Sequence, residues 1–459
     1  MPKSNDHQRL AALTAQQGLR DAAIPLVLVV AGVEAAGRHE VLNALTHCLD
    51  TRGLRINAWT PEQAPGQDRP TFWRFWQHLP VRGQIGLFLD GWYADPILAA
   101  LRGGEVDVSA QQAFERQLTA DGVCVVKLWV SLDVDHARRR VRRRLNEAAR
   151  APTLSEIALL ASADHADRRL AQLREDSGDW VTLDGRHRER SAKAAIAAVL
   201  KAIKRFHQAP LQPPAVRRLT VRRNTPRLAD VDLSAQVPKA EAARQLTALQ
   251  RQLARQVWAA HAARRAVVVV LEGWDAAGKG GVIRRVTDAL DARLFQVVPI
   301  AAPTDEERQH PYLWRFWRHV PRDGQMTVFD RSWYGRVLVE RVEQLASPSQ
   351  WRRAYGEINA FEAQLVERGA VLVKCWLHLS PEEQLRRFQS RAETPHKQHK
   401  LTAEDWRNRE KWTDYADAAD TMFAQTDRPG APWTLVAAED KHHARLTVLK
   451  TLCDALAAH

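Results

Sequence analysis

Short runs of aliphatic and β-branched residues recur along the chain, each followed by a stretch with helical spacing. Residues 24–32 read IPLVLVVAG and residues 266–274 read AVVVVLEGW. Both are almost continuously apolar over strand length, and both lead into a small-residue loop and then a helix-like segment such as GVIRRVTDALDA. Further runs, QMTVFD and AVLVKCWLHL, are separated by helical stretches, and LTALQRQLARQVWAAHA precedes the run at 266 with helical spacing. Near-continuous Val/Leu strands alternating with helices predict a parallel sheet covered on both faces, hence an α/β fold.

The pattern occurs twice. Residues 70–93, PTFWRFWQHLPVRGQIGLFLDGWY, align without gaps on 311–334, PYLWRFWRHVPRDGQMTVFDRSWY, with 12 identities in 24 positions. At the same offset of 241, AGVEAAGRHE from Ala31 falls on EGWDAAGKGG from Glu272. FERQLTADGVCVVKLWVSL from Phe114 matches FEAQLVERGAVLVKCWLHL from Phe361 at an offset of 247. So long a period excludes a solenoid and predicts a tandem duplication of one domain. The expected organisation is a first domain over 1–205, a linker over 206–230 and a second domain over 231–459.

Charge sharpens this division. The chain of 459 residues carries a net +13, but residues 1–200 hold 26 cations against 24 anions, and 201–230 hold 8 against 1. The remaining 33 cations and 29 anions lie beyond residue 230. The basic segment also contains four prolines and reads as a solvated linker; its paired arginines, Arg217, Arg218, Arg222 and Arg223, are a candidate docking strip for a polyanion. Four widely spaced cysteines offer neither a disulfide framework nor a zinc site. No apolar run approaches the ~20 residues that span a bilayer, and the N-terminus does not read as a signal peptide, so a cytoplasmic protein without a membrane partner is expected.

Candidate chemistry concentrates in the second copy. The string GWDAAGKGG places Gly273, Ala276, Ala277, Gly278, Gly280 and Gly281 between a buried strand and a helix, the context in which backbone N–H groups surround phosphate oxygens. Lys279 is placed to reach a transferring phosphate. The residue after it is Gly280, where the usual loop has a Ser or Thr that holds Mg²⁺. Asp275 is an anion inside a phosphate loop, which suggests a cation or an acidic proton between the two. Asp330 ends the run MTVFD and is placed as a Walker B carboxylate for Mg²⁺, with Arg331 next to it. Arg387 and Arg391, four apart on one helical face, with Lys397 and Lys400 beyond a proline, form a candidate basic lid over phosphates.

EGWDAAGKGG, WRFWRHVP, DRSWYGRVLVERV, RRFQSR and DRPGAPWTLVAAEDKHHAR together resemble the polyphosphate kinase type 2 family over nearly all of 231–459. That resemblance implies a P-loop kinase-like α/β core with a helical lid, transferring phosphoryl groups between inorganic polyphosphate and nucleotides with Mg²⁺, or Mn²⁺ in its place. By position, Asp275, Lys279, Asp330, Arg331 and Arg391 match the family's catalytic and phosphate-binding residues, with Asp330 and Asp275 as the metal candidates. Gly335 stands where single-domain members have asparagine. A fused degenerate copy resembles the two-domain subclass, which implies AMP as acceptor, ADP as product and a homo-oligomer.

The first copy keeps the scaffold and loses the chemistry. Arg38 replaces the lysine, His39 and Glu40 replace two glycines, and Leu89 stands where Asp330 does. Loss of backbone freedom and the charge of Glu40 are expected to oppose phosphate binding. Asp90, one position on, is expected to face away. The retained WRFW and WY blocks read as packing residues. Three alternatives stay open: transfer to a nucleoside diphosphate, ADP to ATP; an ordinary ATP-dependent nucleotide kinase; and a non-enzymatic nucleic-acid-binding P-loop protein. The last is suggested by the sequence pI of 9.9 and sixteen tryptophans, although nucleic acid is the less favoured partner.

Overall fold

A computed structural model describes residues 3–60, 63–148, 150–162, 165–208, 225–395, 398 and 401–458. The linker arginines 217, 218, 222 and 223 lie outside the described residues, as do Lys397 and Lys400. Two compact units divide the chain. Met1–Gln67, Thr71–Pro213 and Pro303–Arg315 form the first, and Asp68–Pro70, Pro214–Ala302 and Phe316–His459 the second.

Each unit is built on a five-stranded, wholly parallel sheet. In the first, β1 (Leu26–Gly32), β2 (Leu54–Asn57), β3 (Ile85–Leu89), β4 (Cys124–Ser131) and β5 (Val181–Asp184) are ordered β2-β3-β1-β4-β5. In the second, β6 (Val267–Gly273), β7 (Phe295–Pro299), β8 (Met326–Asp330), β9 (Val371–His378) and β10 (Trp433–Ala437) repeat that order read from the other end, β10-β9-β6-β8-β7. The apolar runs become the central strands, β1 and β9 buried along their whole length, while the short edge strands β2 and β7 are half exposed. The α/β duplication expected from the periodicity is therefore observed. The chain leaves the central strand β6 where its successors diverge to opposite sides, the position at which open parallel sheets form a crevice.

The WRFW and WY blocks pack as expected. Phe316, Trp317, Phe329, Trp333 and Phe361 meet in mostly edge-to-face contacts, as do Phe75, Trp76, Phe88, Trp92 and Phe114. Beneath each cluster lies a buried polar network that the sequence reading missed. Glu362 accepts from Trp333 Nε1 (3.0 Å), Tyr334 Oη (2.6 Å) and Lys374 Nζ (2.9 Å), and Lys374 also donates to Thr426 O (2.8 Å). Glu115, Trp92, Tyr93, Lys127 and Ser177 O reproduce it in the first unit. Removing one member would strand a buried charge, which explains why these blocks persist in both copies.

Candidate functional site

The site gathers where β6 ends. Gly273 has φ 140°, and a Cβ there would lie 2.4 Å from Leu377 O, so only glycine lets the loop leave the sheet so close to β9. Ala276 and Gly278 also have positive φ, 63° and 108°. The loop then enters helix Lys279–Thr287, whose first turn contains Gly280 and Gly281. The loop residues named from sequence therefore come together as a strand–loop–helix turn, with the helix N-terminus at its mouth.

Four charged groups converge there. Lys279 Nζ donates to Gly273 O (2.7 Å) and Trp274 O (3.1 Å). Burial, then the nearby Arg331, pull its ammonium below the usual lysine range, opposed by Asp275, Asp330 and Glu272. Asp275 accepts from Arg331 Nη2 on one oxygen (2.8 Å) and from Asn408 Nδ2 on the other (2.9 Å). Burial works against its charge, but Lys279, Arg331 and these hydrogen bonds outweigh it and hold the carboxyl below its ordinary value. Arg331 itself has φ 63°, which turns its side chain back over the loop. Asp330 ends β8, and its carboxylate accepts no hydrogen bond and forms no ion pair among the described residues.

Three partners were not legible as site residues. Asn408 reaches Asp275 from helix Ala403–Glu410, and its Oδ1 accepts from Tyr415 Oη (3.1 Å). Glu272, buried at the end of β6, accepts from Ser332 Oγ (2.8 Å), and burial raises its carboxyl. Trp274 stacks on Trp412 with ring centroids 3.7 Å apart and donates its indole N–H to His378 Nδ1 (2.8 Å). Buried His378 falls to about 4 and stays neutral.

Arg387 differs from expectation. It is 4% exposed, and its guanidinium donates to Ala276 O (3.0 Å), Ala277 O (3.1 Å), Ala438 O (2.6 Å), Glu439 O (2.9 Å) and Glu383 Oε1 (2.5 Å). All five N–H donors meet protein oxygens, so Arg387 clamps the outer side of the loop and has no donor left for phosphate. Arg391, one turn on in helix Pro381–Glu393, is half-buried.

The donor set suits Mg²⁺. That ion is held by one or two carboxylates with phosphate oxygens and water completing its shell, and Asp330 is an unengaged carboxylate beside the phosphate-type loop. Asp275, the second expected ligand, already has a donor on each oxygen.

The first unit corrects two expectations. Gly32, Ala35 and Gly37 have φ 145°, 61° and 112°, matching the second loop, because the two lost glycines occupy helical positions that tolerate His39 and Glu40. Backbone freedom is thus retained. Asp90 faces the loop after all, since the strand ends at Leu89 and φ 58° at Asp90 swings its side chain inward. There it pairs with Arg38, which also pairs with Glu34.

The polyphosphate kinase 2 profile matches residues 3–205 and 236–459, once per unit. The chain belongs to the polyphosphate kinase 2 family. A polyphosphate:AMP phosphotransferase of Pseudomonas aeruginosa is 39% identical over 98% of this chain and 94% of its own length. One from Acinetobacter johnsonii is 36% identical over 94% and 91%. An ADP-polyphosphate phosphotransferase of Pseudomonas aeruginosa matches only 46% of this chain and 69% of its own length, at 41% identity. Among solved structures, a polyphosphate kinase 2 crystal structure from Pseudomonas aeruginosa superposes with TM-score 0.86 at 37% identity, covering 99% of this chain and 95% of that one. This polyphosphate kinase 2 protein therefore shares its two-repeat architecture with full-length relatives, and no helix among its described residues is long and apolar enough to cross a membrane.

Proposed function

We propose that this protein transfers the terminal phosphoryl group of inorganic polyphosphate to AMP, giving ADP and a polymer one unit shorter. The carrying observation is that likeness to polyphosphate:AMP phosphotransferases extends through both repeats, while the second repeat alone combines the loop with a lysine and an unengaged carboxylate, Lys279 and Asp330.

The reaction joins two polyanions, so its main obstacle is charge. An AMP phosphate is largely dianionic near neutral pH, with a second pKa of ~6, and one of its oxygens can attack the terminal phosphorus without a strong base. The P–O bond to the chain breaks, and the leaving phosphate oxygen takes the electron pair. In this reading the loop amides and Lys279 hold the terminal phosphoryl group, Arg331 and Arg391 offset the charge spread over its oxygens, and Asp275 fixes Arg331 in place. Asp330 would hold Mg²⁺, which when bound supplies positive charge to phosphate oxygens. The lid excludes water that would otherwise compete as acceptor.

Similarity of just under half of the chain to an ADP-polyphosphate phosphotransferase makes ADP the competing acceptor. Purified protein given Mg²⁺, long-chain polyphosphate and either nucleotide separates the two. ADP formed from AMP without ATP supports the proposal, and ATP formed only from ADP replaces it. Lys279→Ala and Asp330→Ala should each abolish turnover. A nucleic-acid binder would instead show salt-dependent DNA or RNA binding that survives Lys279→Ala.

A further inference from the structure

The first repeat has lost the groups that transfer phosphate and kept those that attract it. Leu89 occupies the position of Asp330, which removes the carboxylate suited to metal. Yet Arg144 and Arg188 stand at the positions of Arg391 and Lys441, Arg143 is added where the second repeat has Ser390, and Arg140 repeats the clamp of Arg387 on backbone carbonyls. The loop keeps its left-handed turns and runs directly into helix Arg38–Cys48. Beside it lies a cavity of about 220 Å³, lined by Gly37, Arg38, Arg140, Arg143, Arg144 and Arg188 among others.

The cavity wall itself carries these five arginines against two carboxylates, Glu40 and Glu147. Arg38 pairs with Glu34 and Asp90, Arg144 with Glu156 (2.6 Å) and Glu34 (3.3 Å), and Arg188 with Glu40 (2.7 Å). Arg140 instead donates to two carbonyls, Ala35 O (3.2 Å) and Gly185 O (2.9 Å), and Arg143 approaches Glu147 only to 3.8 Å with both side chains exposed. The buried Nε atoms of Arg38 and Arg144 have no hydrogen-bond partner among the described residues. Burial, then the field of Arg188, depress the Arg140 guanidinium, with Glu40 and Asp133 opposing.

We infer that this arginine-lined cavity is a non-catalytic docking site for inorganic polyphosphate, holding a stretch of the polymer without transferring phosphate from it. Its volume is below the ~300–1,000 Å³ of pockets that enclose whole drug-sized ligands, which favours phosphate units over a nucleotide. The inference rests on the reading that polyphosphate is the donor.

Tripolyphosphate is titrated calorimetrically into full-length Lys279→Ala protein, with and without Arg143→Ser and Arg188→Ala. Both added substitutions are at positions about half exposed or more, 71% and 49%, and Arg143→Ser alone serves if the pair perturbs folding. Binding should persist in Lys279→Ala and weaken about tenfold when the two arginines are removed. Unchanged affinity, or displacement by AMP at equal concentration, overturns the docking site. ADP formation by the wild-type protein, run in parallel, separates the two failures. Its absence removes the donor reading, while its presence with unchanged binding removes the docking site alone.

Discussion

Replacing Arg387 with alanine tests whether helix Pro381–Glu393 holds the loop through a structural arginine. The side chain is 4% exposed and supplies donors to four backbone carbonyls, two in the phosphate-type loop and two just after β10. Glu383 would keep a partner in Arg386, so the main loss is four orphaned acceptors at ~1 kcal/mol each, at the low end because water can enter the vacated space. The sum, about 3–5 kcal/mol, matches the usual cost of breaking a buried charged cluster. For a unit of this size each kcal/mol moves the transition by ~2–4 °C, so calorimetry on the substrate-free protein should show a fall of roughly 6–20 °C in one transition. Arg387→Lys should recover only part of it, because an ammonium cannot span carbonyls on two segments. A transition within about 2 °C of wild type, together with a raised KM for polyphosphate, would refute the clamp and return Arg387 to the substrate.

Asn408→Ala removes one of the two side-chain donors on Asp275; kcat should fall about tenfold, from ~1–2 kcal/mol at a charged acceptor, with the acid limb of the pH profile moving upward, and an unmoved limb would count against this positioning role. His378 accepts from Trp274 and is depressed to about 4 in the folded protein, so its stabilisation is complete above pH 6.5 and lost as pH falls toward 4. Between pH 7 and 5 it should cost ~2 kcal/mol in urea unfolding, a loss that His378→Asn should reduce. Arg38→Ala should leave the chemistry of the second repeat intact but destabilise the first unit by about 3–5 kcal/mol, since Glu34 and Asp90 lose their shared partner; equal thermal stability would show that the triad is not a stabilising cluster.

Fold class, duplication, the strand–loop–helix turn and the asymmetry between the copies were legible in the chain, because each is carried by local periodicity or by residues adjacent in sequence. The paired aromatic blocks were legible as packing for the same reason. The division of labour within the site was not. Arg387 and Arg391 look alike on a helical face, and only the placement of carbonyls more than a hundred residues upstream makes the first a clamp. Asp90 turns inward because of the sign of one φ angle, which alternation along a strand cannot reveal. Asn408 meets Asp275 across 133 residues, and no spacing rule joins an amide on one helix to a carboxylate in a distant loop. Residue types and short-range order thus set which groups were available, while long-range packing decided which carboxylate stayed unengaged and which arginine was already committed to the protein.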